Sequence, residues 1–209
     1  MAKISESMNN FFDTVIQQAI GLSIIDWIAT ITALIYVVLA ARSNIWCWFW
    51  GIISCSLWAY ASFVFYQLYL DAILQVFYVA MAIIGFYQWK YGGENKAKLA
   101  VTRLEIKQHL YILAFGAILA IGFGYFFDEY TPAAATYLDA FTTIFAMITT
   151  ILLVRRVLEN WIYWVVIDAI YVYLYASRGA FLFALLMILY TVIAANAFYK
   201  WRKEYLAAI

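Results

Sequence analysis

Charged residues are scarce in this chain. Its 209 residues include 13 Lys and Arg and 12 Asp and Glu, or 12% of the sequence, whereas soluble domains carry about 25%. Hydrophobic residues make up 68% and the mean hydropathy is +0.86. A soluble fold cannot bury so much apolar surface, so the composition predicts an integral membrane protein whose main solvent is lipid.

Several catalytic and ligand-binding signatures are also missing. There is no GxxxxGK[ST] phosphate loop for an ATP-driven pump, and an intramembrane hydrolase would lack its HExxH or GxSxG motif. The single His109 cannot build a metal site, and Cys47 and Cys55 are expected to be small buried hydrophobic residues. With nine glycines and only Pro132, placed in a loop, broken-helix ion sites have little support. A net charge of +1 provides no basic surface for nucleic acid. We therefore predict neither enzyme activity, nor a cofactor, nor a nucleic-acid partner.

Long apolar runs are abundant, and seven of them are long enough to cross a bilayer, which takes about 20 residues. No cleavable signal peptide is evident at the amino terminus. Residues 9–20 place their Phe and Ile side chains on one face of a short amphipathic helix, which is expected to lie at the membrane interface. The predicted fold is an all-α membrane protein with spans at 23–41, 45–65, 70–89, 108–127, 133–154, 160–176 and 180–200.

The basic residues fall almost entirely on one side of these spans. If successive spans alternate in direction, 11 of the 13 Lys and Arg lie on the side of the carboxyl terminus, and only Lys3 and Arg178 lie opposite. Lys and Arg in short loops mark the cytoplasmic face. The amino terminus is therefore predicted to be periplasmic and the carboxyl terminus cytoplasmic.

Two stretches of three spans resemble each other. Asp26 and Asp139 begin them, and FYQW (86–89) and FYKW (198–201) close them, so corresponding positions are separated by a nearly constant offset. Such an offset favours a duplication. Because three is odd, the span between the repeats restores a common direction, and parallel repeats of this kind typically hold substrate between the two halves. The predicted units are an interfacial segment (1–22), a first repeat (23–91), a basic cytoplasmic loop with the linking helix (92–132), a second repeat (133–202) and a tail (203–209).

A few polar side chains lie within the predicted spans. A charged or amide group in hydrocarbon costs on the order of 1–3 kcal/mol or more, so it usually faces a cavity or a partner. Each could alternatively serve only as an interhelical hydrogen bond, but the carboxylates have no Lys or Arg within the spans to pair with. These candidates are Asp26, Gln75, Gln88, Asp139, Asp168 and Asn196.

The segment ENWIYWVVID carries the densest polar and aromatic pattern. Trp161, Trp164 and Asp168 are spaced so that they share one helical face. Indole rings stack on flat heteroaromatic rings and attract cations, and a carboxylate offsets positive charge or accepts hydrogen bonds from hydroxyls. The face suits a flat, positively charged, hydroxylated ligand. The alternative is an interfacial tryptophan belt with Asp168 buried for packing.

Five segments resemble the bacterial PnuC-type nicotinamide riboside transporters, over residues 26–202: LAARSNIWCW, YLDAILQVFY, GFYQW, RRVLENWIYW and ANAFYKW. The most specific part is the WxxW at Trp161 and Trp164, preceded by Glu159 and Asn160. The resemblance implies a fold like that of a full-length SWEET sugar transporter, a homotrimer, and residence in the bacterial inner membrane. It also implies facilitated diffusion of nicotinamide riboside, with trapping through phosphorylation by a cytoplasmic riboside kinase.

The implied substrate matches the polar face of the ENWIYWVVID segment, because nicotinamide riboside has a cationic ring, a carboxamide and ribose hydroxyls. Asp168 stands where the family pattern leads us to expect asparagine and offers a counter-ion for the pyridinium. By resemblance, the binding residues are the aromatics Trp161 and Trp164, the polar partners Gln75 and Asn196, and the pathway residue Asp139, with Gln88 as a further polar candidate. Two alternatives stay open: a transporter of another flat vitamin such as thiamin, and a membrane protein that binds its ligand without moving it.

Overall fold

The structure, a computed structural model, describes residues 2–130 and 136–208. Over these ranges the chain forms α-helices and no β-strand, apart from one parallel bridge between Thr102 and Val157. All of the helices except α1 and α7 are long and apolar enough to cross a membrane. Helix α7 has 18 residues, but Asn160, Asp168 and its tyrosines make it more polar, so the seventh span stays a prediction. The helices are α1 (Ala2–Gly21), α2 (Ile24–Ala41), α3 (Cys47–Val64), α4 (Tyr69–Tyr91), α5 (Ile106–Tyr130), α6 (Thr136–Val154), α7 (Asn160–Ser177) and α8 (Phe181–Ala208).

Helices α2 to α8 begin and end close to the predicted span boundaries, except that α8 continues past residue 200 to Ala208. The residues that follow the apolar run, RKEYLAA, are mostly good helix formers, so the helix continues beyond the span. Helix α1 likewise begins at Ala2 rather than near residue 9. The predicted boundary between residues 132 and 133, together with Pro132, lies outside the described residues.

Helix α2 begins at a capping box. The Asp26 amide donates to Ser23 Oγ at 3.1 Å, and the Ser23 amide donates to Asp26 Oδ2 at 2.9 Å. Tyr66 Oη also donates to Asp26 Oδ2, at 2.6 Å, and this bond raises the pKa of Tyr66 to about 12. Asp26 is therefore a structural cap that fixes the start of α2 against the connection between α3 and α4.

The two repeats follow the same backbone path at their first connection. Helices α2 and α6 end at Ala41 and Val154, and α3 and α7 begin with the same separation in sequence. Each connection contains one non-glycine residue with positive φ, Ser43 at 53° and Arg156 at 54°. The separation equals the offset between the repeated sequence segments, so the repetition in sequence has a counterpart in backbone geometry.

The halves also contact each other reciprocally. Helix α4 of the first repeat packs against α6, the first helix of the second repeat, and α8 packs against α2 in the same way. Trp89 Nε1 donates to the carbonyl oxygen of Leu153 at 3.2 Å, while Trp201 Nε1 donates to that of Ala40, also at 3.2 Å. Each repeat thus supplies an indole N–H to the other, as expected for halves related by an approximate two-fold axis.

Four buried tryptophans meet where these contacts occur, and we call them the tryptophan cluster: Trp48, Trp89, Trp161 and Trp201. Their ring centroids lie 5.2 Å apart for Trp48 and Trp89, 5.6 Å for Trp89 and Trp201, and 5.4 Å for Trp161 and Trp201. The Arg156 guanidinium lies 5.0 Å from the Trp89 ring and 5.3 Å from the Trp201 ring. The two central indoles therefore share one cation through cation–π contacts.

Glu204 of α8 holds this arginine in place. Arg156 is fully buried, and its Nη2 donates to Glu204 Oε1 at 2.7 Å while its Nη1 donates to the Leu99 carbonyl at 2.8 Å. Burial lowers the pKa of the Arg156 guanidinium, and the Glu204 carboxylate opposes that effect. Ser43 Oγ donates to the other oxygen of Glu204 at 2.6 Å. One carboxylate thus joins α8 to the first connection of both repeats.

The segment between α4 and α5 covers the same end of the bundle. The Thr102 amide donates to the carbonyl of Arg156 at 3.0 Å, and the Leu158 amide donates to that of Thr102 at 2.8 Å. Arg103 pairs with Glu159 at 2.9 Å, which raises the pKa of Arg103. The basic loop predicted from the sequence is therefore fastened across the connection between α6 and α7.

Candidate functional site

A cavity of about 660 Å³ lies between the two repeats. Its walls come from α2, α3 and α4 of the first repeat and from α6, α7 and α8 of the second. Among the described residues that line it, none belongs to α1 or α5. The cavity therefore occupies the position at which transporters built from repeats bind their substrates.

The two ends of the cavity differ. One end is lined by Leu22, Tyr66 and Leu68, of which Tyr66 is 46% and Leu68 is 55% exposed. The other end is lined by Trp48 and Trp161 of the tryptophan cluster, each 1% exposed. The cavity thus extends from the surface near the start of α2 to a floor of packed indoles.

Aromatic side chains make up much of the wall. Phenol and indole rings provide flat apolar faces, and their O–H and N–H groups provide donors at the ring edges. Such a wall accepts a flat ring by stacking while still offering hydrogen bonds to polar substituents. Besides the floor, the aromatic lining residues are Tyr36, Trp58, Tyr66, Tyr78, Trp164, Tyr175, Phe183 and Tyr190.

All the charge on the lining is negative. Asp71 and Asp168 are its charged members, and no Lys or Arg occurs among the described lining residues. Ser62 Oγ donates a short hydrogen bond to Asp71 Oδ2. Asp168 is 5% exposed, and its carboxylate forms no hydrogen bond within the described part of the chain. A buried carboxylate without a partner is costly, so a cation in the cavity would stabilise Asp168.

Four of the residues singled out from the sequence line this cavity. Trp161, Trp164 and Asp168 come from α7, as their shared helical face predicts, and Gln75 comes from α4 across the cavity. Trp161 is fully buried, whereas Trp164 and Gln75 are half-buried. The structure therefore brings the aromatic pair, a carboxylate and an amide to one cavity.

The other three candidates lie elsewhere in this conformation. Gln88 is exposed near the end of α4, and Asp139 pairs with Arg178 at 3.0 Å. Asn196 is exposed, and its Nδ2 donates to the Val192 carbonyl of its own helix at 2.8 Å. None of the three lines the described cavity, so their proposed part in binding rests on the sequence.

The position of Asn196 follows from helix geometry. Tyr190 and Ala194, four residues apart on α8, both line the cavity. Asn196 comes two residues after Ala194 and is therefore rotated by about 200°, to the opposite side of the helix. Because the part of α8 that precedes Asn196 is almost entirely apolar, its residue pattern does not indicate which face is turned inward.

Sequence reasoning missed several lining residues. Asp71 falls at the edge of the predicted span 70–89 and is absent from the polar candidates above, but it lies in the first turn of α4 and lines the cavity. Tyr36, Tyr78 and Tyr190 lie well inside their helices, whereas tyrosines of a membrane protein are first interpreted as interfacial residues. These tyrosines could have been identified from the sequence, because the O–H of a phenol in the middle of a span needs a hydrogen-bond partner.

The described residues show no preformed metal site. No group of three or more His, Cys, Asp or Glu side chains is arranged there to hold an ion. Asp71 and Asp168 are instead separate carboxylates on α4 and α7, in opposite repeats. The arrangement can bind an organic cation.

Comparison with known proteins gives a consistent result. The family described as nicotinamide mononucleotide transporter matches residues 23–203. Nicotinamide riboside transporter PnuC of Escherichia coli (strain K12) is 29% identical over 205 residues, covering 86% of this chain and 85% of that protein. The protein of the same name from Neisseria mucosa is 26% identical over 191 residues, covering 84% and 71%.

A solved structure shares the fold. The crystal structure of the vitamin B3 transporter PnuC superposes with a TM-score of 0.72 at 22% sequence identity, covering 94% of this chain and 90% of that one. At this identity the likeness concerns the fold. It extends over both repeats and the helix between them.

Proposed function

Because this chain belongs to the nicotinamide mononucleotide transporter family, we propose that it carries nicotinamide riboside across the bacterial inner membrane. Transport is by facilitated diffusion, and a cytoplasmic riboside kinase traps the substrate by phosphorylation. The named relatives are nicotinamide riboside transporters, and the family is one of transporters rather than enzymes.

The observation that carries the choice of substrate is the charge of the cavity. Its charged lining residues are Asp71 and Asp168, with no Lys or Arg among the described ones. Nicotinamide riboside is a cation and is attracted to carboxylates. The mononucleotide adds a phosphate group with a charge of roughly −1.5 to −2, which two carboxylates repel and no described side chain of the cavity neutralises. The riboside is therefore favoured over the mononucleotide of the family's description.

The lining residues supply matching partners for each part of this substrate. The indoles of Trp161 and Trp164 stack on the pyridinium ring, and Asp168 is its counter-ion. Gln75 and the tyrosine hydroxyls hydrogen-bond the carboxamide and the ribose. Binding then removes the cost of burying Asp168 without a partner.

We infer seven spans, with α7 as the span that hydropathy alone does not identify. The repeats (23–91 and 133–202) are then parallel and joined by the linking unit (92–132), while α1, within residues 1–22, lies at the periplasmic interface. The excess of Lys and Arg at the opposite end supports a cytoplasmic location for the tail (203–209). In this orientation the cavity reaches the periplasmic surface, and the tryptophan cluster closes its cytoplasmic end.

Transport requires the two repeats to rock or to open a gate around the cavity. The α4–α6 and α2–α8 contacts are the surfaces along which they would move. A homotrimer is also proposed, on the resemblance to the family.

A binding panel tests the substrate. Purified protein in detergent is titrated with nicotinamide riboside, thiamin, nicotinamide and nicotinamide mononucleotide, and heats of binding and thermal midpoints are recorded. We expect the riboside to bind at least tenfold more tightly than the other three. Stabilisation by thiamin alone, or a mononucleotide that binds as tightly as the riboside, would overturn the proposed substrate.

A further inference from the structure

Two members of the tryptophan cluster occupy equivalent positions in the two repeats. Trp48 is the second residue of α3 and Trp161 is the second residue of α7. Each is 1% exposed, and each lines the end of the cavity farthest from the surface. Any solute that reaches the floor of the cavity therefore meets one indole from each repeat.

The indole N–H groups of the cluster fall into two classes. Those of Trp89 and Trp201 donate to backbone carbonyls at 3.2 Å. Those of Trp48 and Trp161 are buried and have no hydrogen-bond partner within the described residues. All four indoles are similarly buried, so burial alone does not explain why two of the donors are satisfied and two are not.

Unsatisfied buried donors are uncommon because the desolvation of each N–H group is then left uncompensated. Here both belong to residues that line the proposed binding cavity, and both come from the same position of a repeated unit. Neither Trp89 nor Trp201, whose donors are satisfied, lines the cavity. The two unsatisfied donors thus belong to the two buried indoles that form the floor of the cavity.

We propose that Nε1 of Trp48 and Nε1 of Trp161 are paired donors that hydrogen-bond uncharged oxygen acceptors of the transported solute. The acceptors are either the carbonyl oxygen of a carboxamide or hydroxyl oxygens of a ribose. This assigns a binding role to Trp48 and gives Trp161 a role as a donor in addition to stacking. The inference rests on the proposed function for the chemical class of the solute.

The test removes the N–H without changing the size of the ring. Benzothienylalanine, in which sulfur replaces the indole N–H, is introduced in turn at Trp48, Trp161, Trp89 and Trp46 of the full chain. Trp46 is the neutral control, because it is 58% exposed and does not line the cavity. Calorimetry measures the affinity for nicotinamide riboside, and thermal melting measures the stability of the ligand-free protein.

We expect replacement of Trp48 or of Trp161 to weaken binding about tenfold, or about 1.4 kcal/mol, without lowering the ligand-free thermal midpoint. Replacement of Trp89 should lower that midpoint, because its hydrogen bond to the Leu153 carbonyl is lost. The Trp46 variant should match the wild type in both measurements. Unchanged affinity at Trp48 and Trp161, or a loss of ligand-free stability as large as that at Trp89, would overturn the assignment.

One further ligand makes the result specific. It is a pyridinium riboside that lacks the carboxamide. If an indole donates to the carboxamide, removal of its N–H should leave the affinity for this ligand unchanged. If it donates to the ribose, the affinity should fall by the full tenfold. A wild-type protein that fails to bind nicotinamide riboside counts against the proposed function, whereas a binding wild type with unaffected variants counts against this inference alone.

Discussion

At the scale of single residues, Asp168 is a deeply buried carboxyl group without a partner. It is 5% exposed and accepts no hydrogen bond within the described part of the chain, although a buried carboxylate normally has a cation or several donors. The proposed pyridinium would supply that partner. Removal of the carboxylate should therefore stabilise the ligand-free protein and weaken its complex with the riboside.

Asp168→Asn tests this directly. We expect the affinity for nicotinamide riboside to fall at least tenfold, because the pyridinium loses its counter-ion. The affinity for the reduced dihydronicotinamide riboside, which carries no charge, should be nearly unchanged, and the thermal midpoint of the ligand-free protein should rise. Calorimetry with both ligands and melting of the free protein are the measurements.

Asp13→Asn is the matched control, since Asp13 lies exposed on α1 and away from the cavity. Its binding and melting should equal those of the wild type. An Asp168→Asn variant that loses the same affinity for the charged and the uncharged ligand would show that its carboxylate does not act as a counter-ion.

At the scale of helices, the close contact between α3 and α4 depends on a glycine. A Cβ atom at Gly85 would lie 2.5 Å from Cζ2 of Trp48, so only glycine lets this indole lie flat against α4. The contact positions Trp48 on the floor of the cavity. Gly85 therefore determines both the packing of the two helices and the position of Trp48 in the site.

Gly85→Ala should destabilise the protein by about 1–3 kcal/mol through overpacking and should weaken riboside binding, because Trp48 must move. The comparison is Gly122→Ala in α5, where a Cβ atom would meet nothing within 4 Å. That substitution should leave binding unchanged and should stabilise by about 0.5–1 kcal/mol, since alanine is the better helix former. Equal stabilities of the two variants in urea or thermal melts would contradict the proposed contact.

Glu204 also links helices, because it joins α8 to the first connection of both repeats. Glu204→Gln should lower stability by about 1–2 kcal/mol, since the buried Arg156 loses its charged partner. The loss is expected to be smaller than for a fully buried pair because Glu204 is 39% exposed. Thermal melts of this variant and of Glu94→Gln, an exposed residue in the connection between α4 and α5, measure the difference. Equal thermal midpoints of the two variants would contradict the proposed role of Glu204.

At the scale of the whole molecule, the helix boundaries were predictable because apolar runs alternate with short polar connections. The repeat is visible as a nearly constant offset between matching sequence segments, and the same offset recurs between the ends of α2 and α6. The α7 part of the site was also predictable, because residues on one helical face stay together whatever the tertiary arrangement.

The remaining parts of the site could not be predicted, because they depend on how the helices face each other. Asn196 is a candidate from its residue type alone, but rotation of α8 sets which of its residues turn inward. The donors of Trp48 and Trp89 are distinguished only by which carbonyl groups come near them. No pattern within a single segment specifies these relations, since they arise between elements distant in sequence.

Uptake into proteoliposomes distinguishes a transporter of nicotinamide riboside from a protein that only binds it. Vesicles containing the purified protein, riboside kinase and ATP are given radiolabelled nicotinamide riboside, and accumulation is compared with that of protein-free vesicles and of vesicles lacking the kinase. We expect equilibration of the label without the kinase, and accumulation above the external concentration only when protein, kinase and ATP are all present. Binding in detergent without uptake above passive leak would contradict the proposed transport and would identify a membrane receptor rather than a transporter.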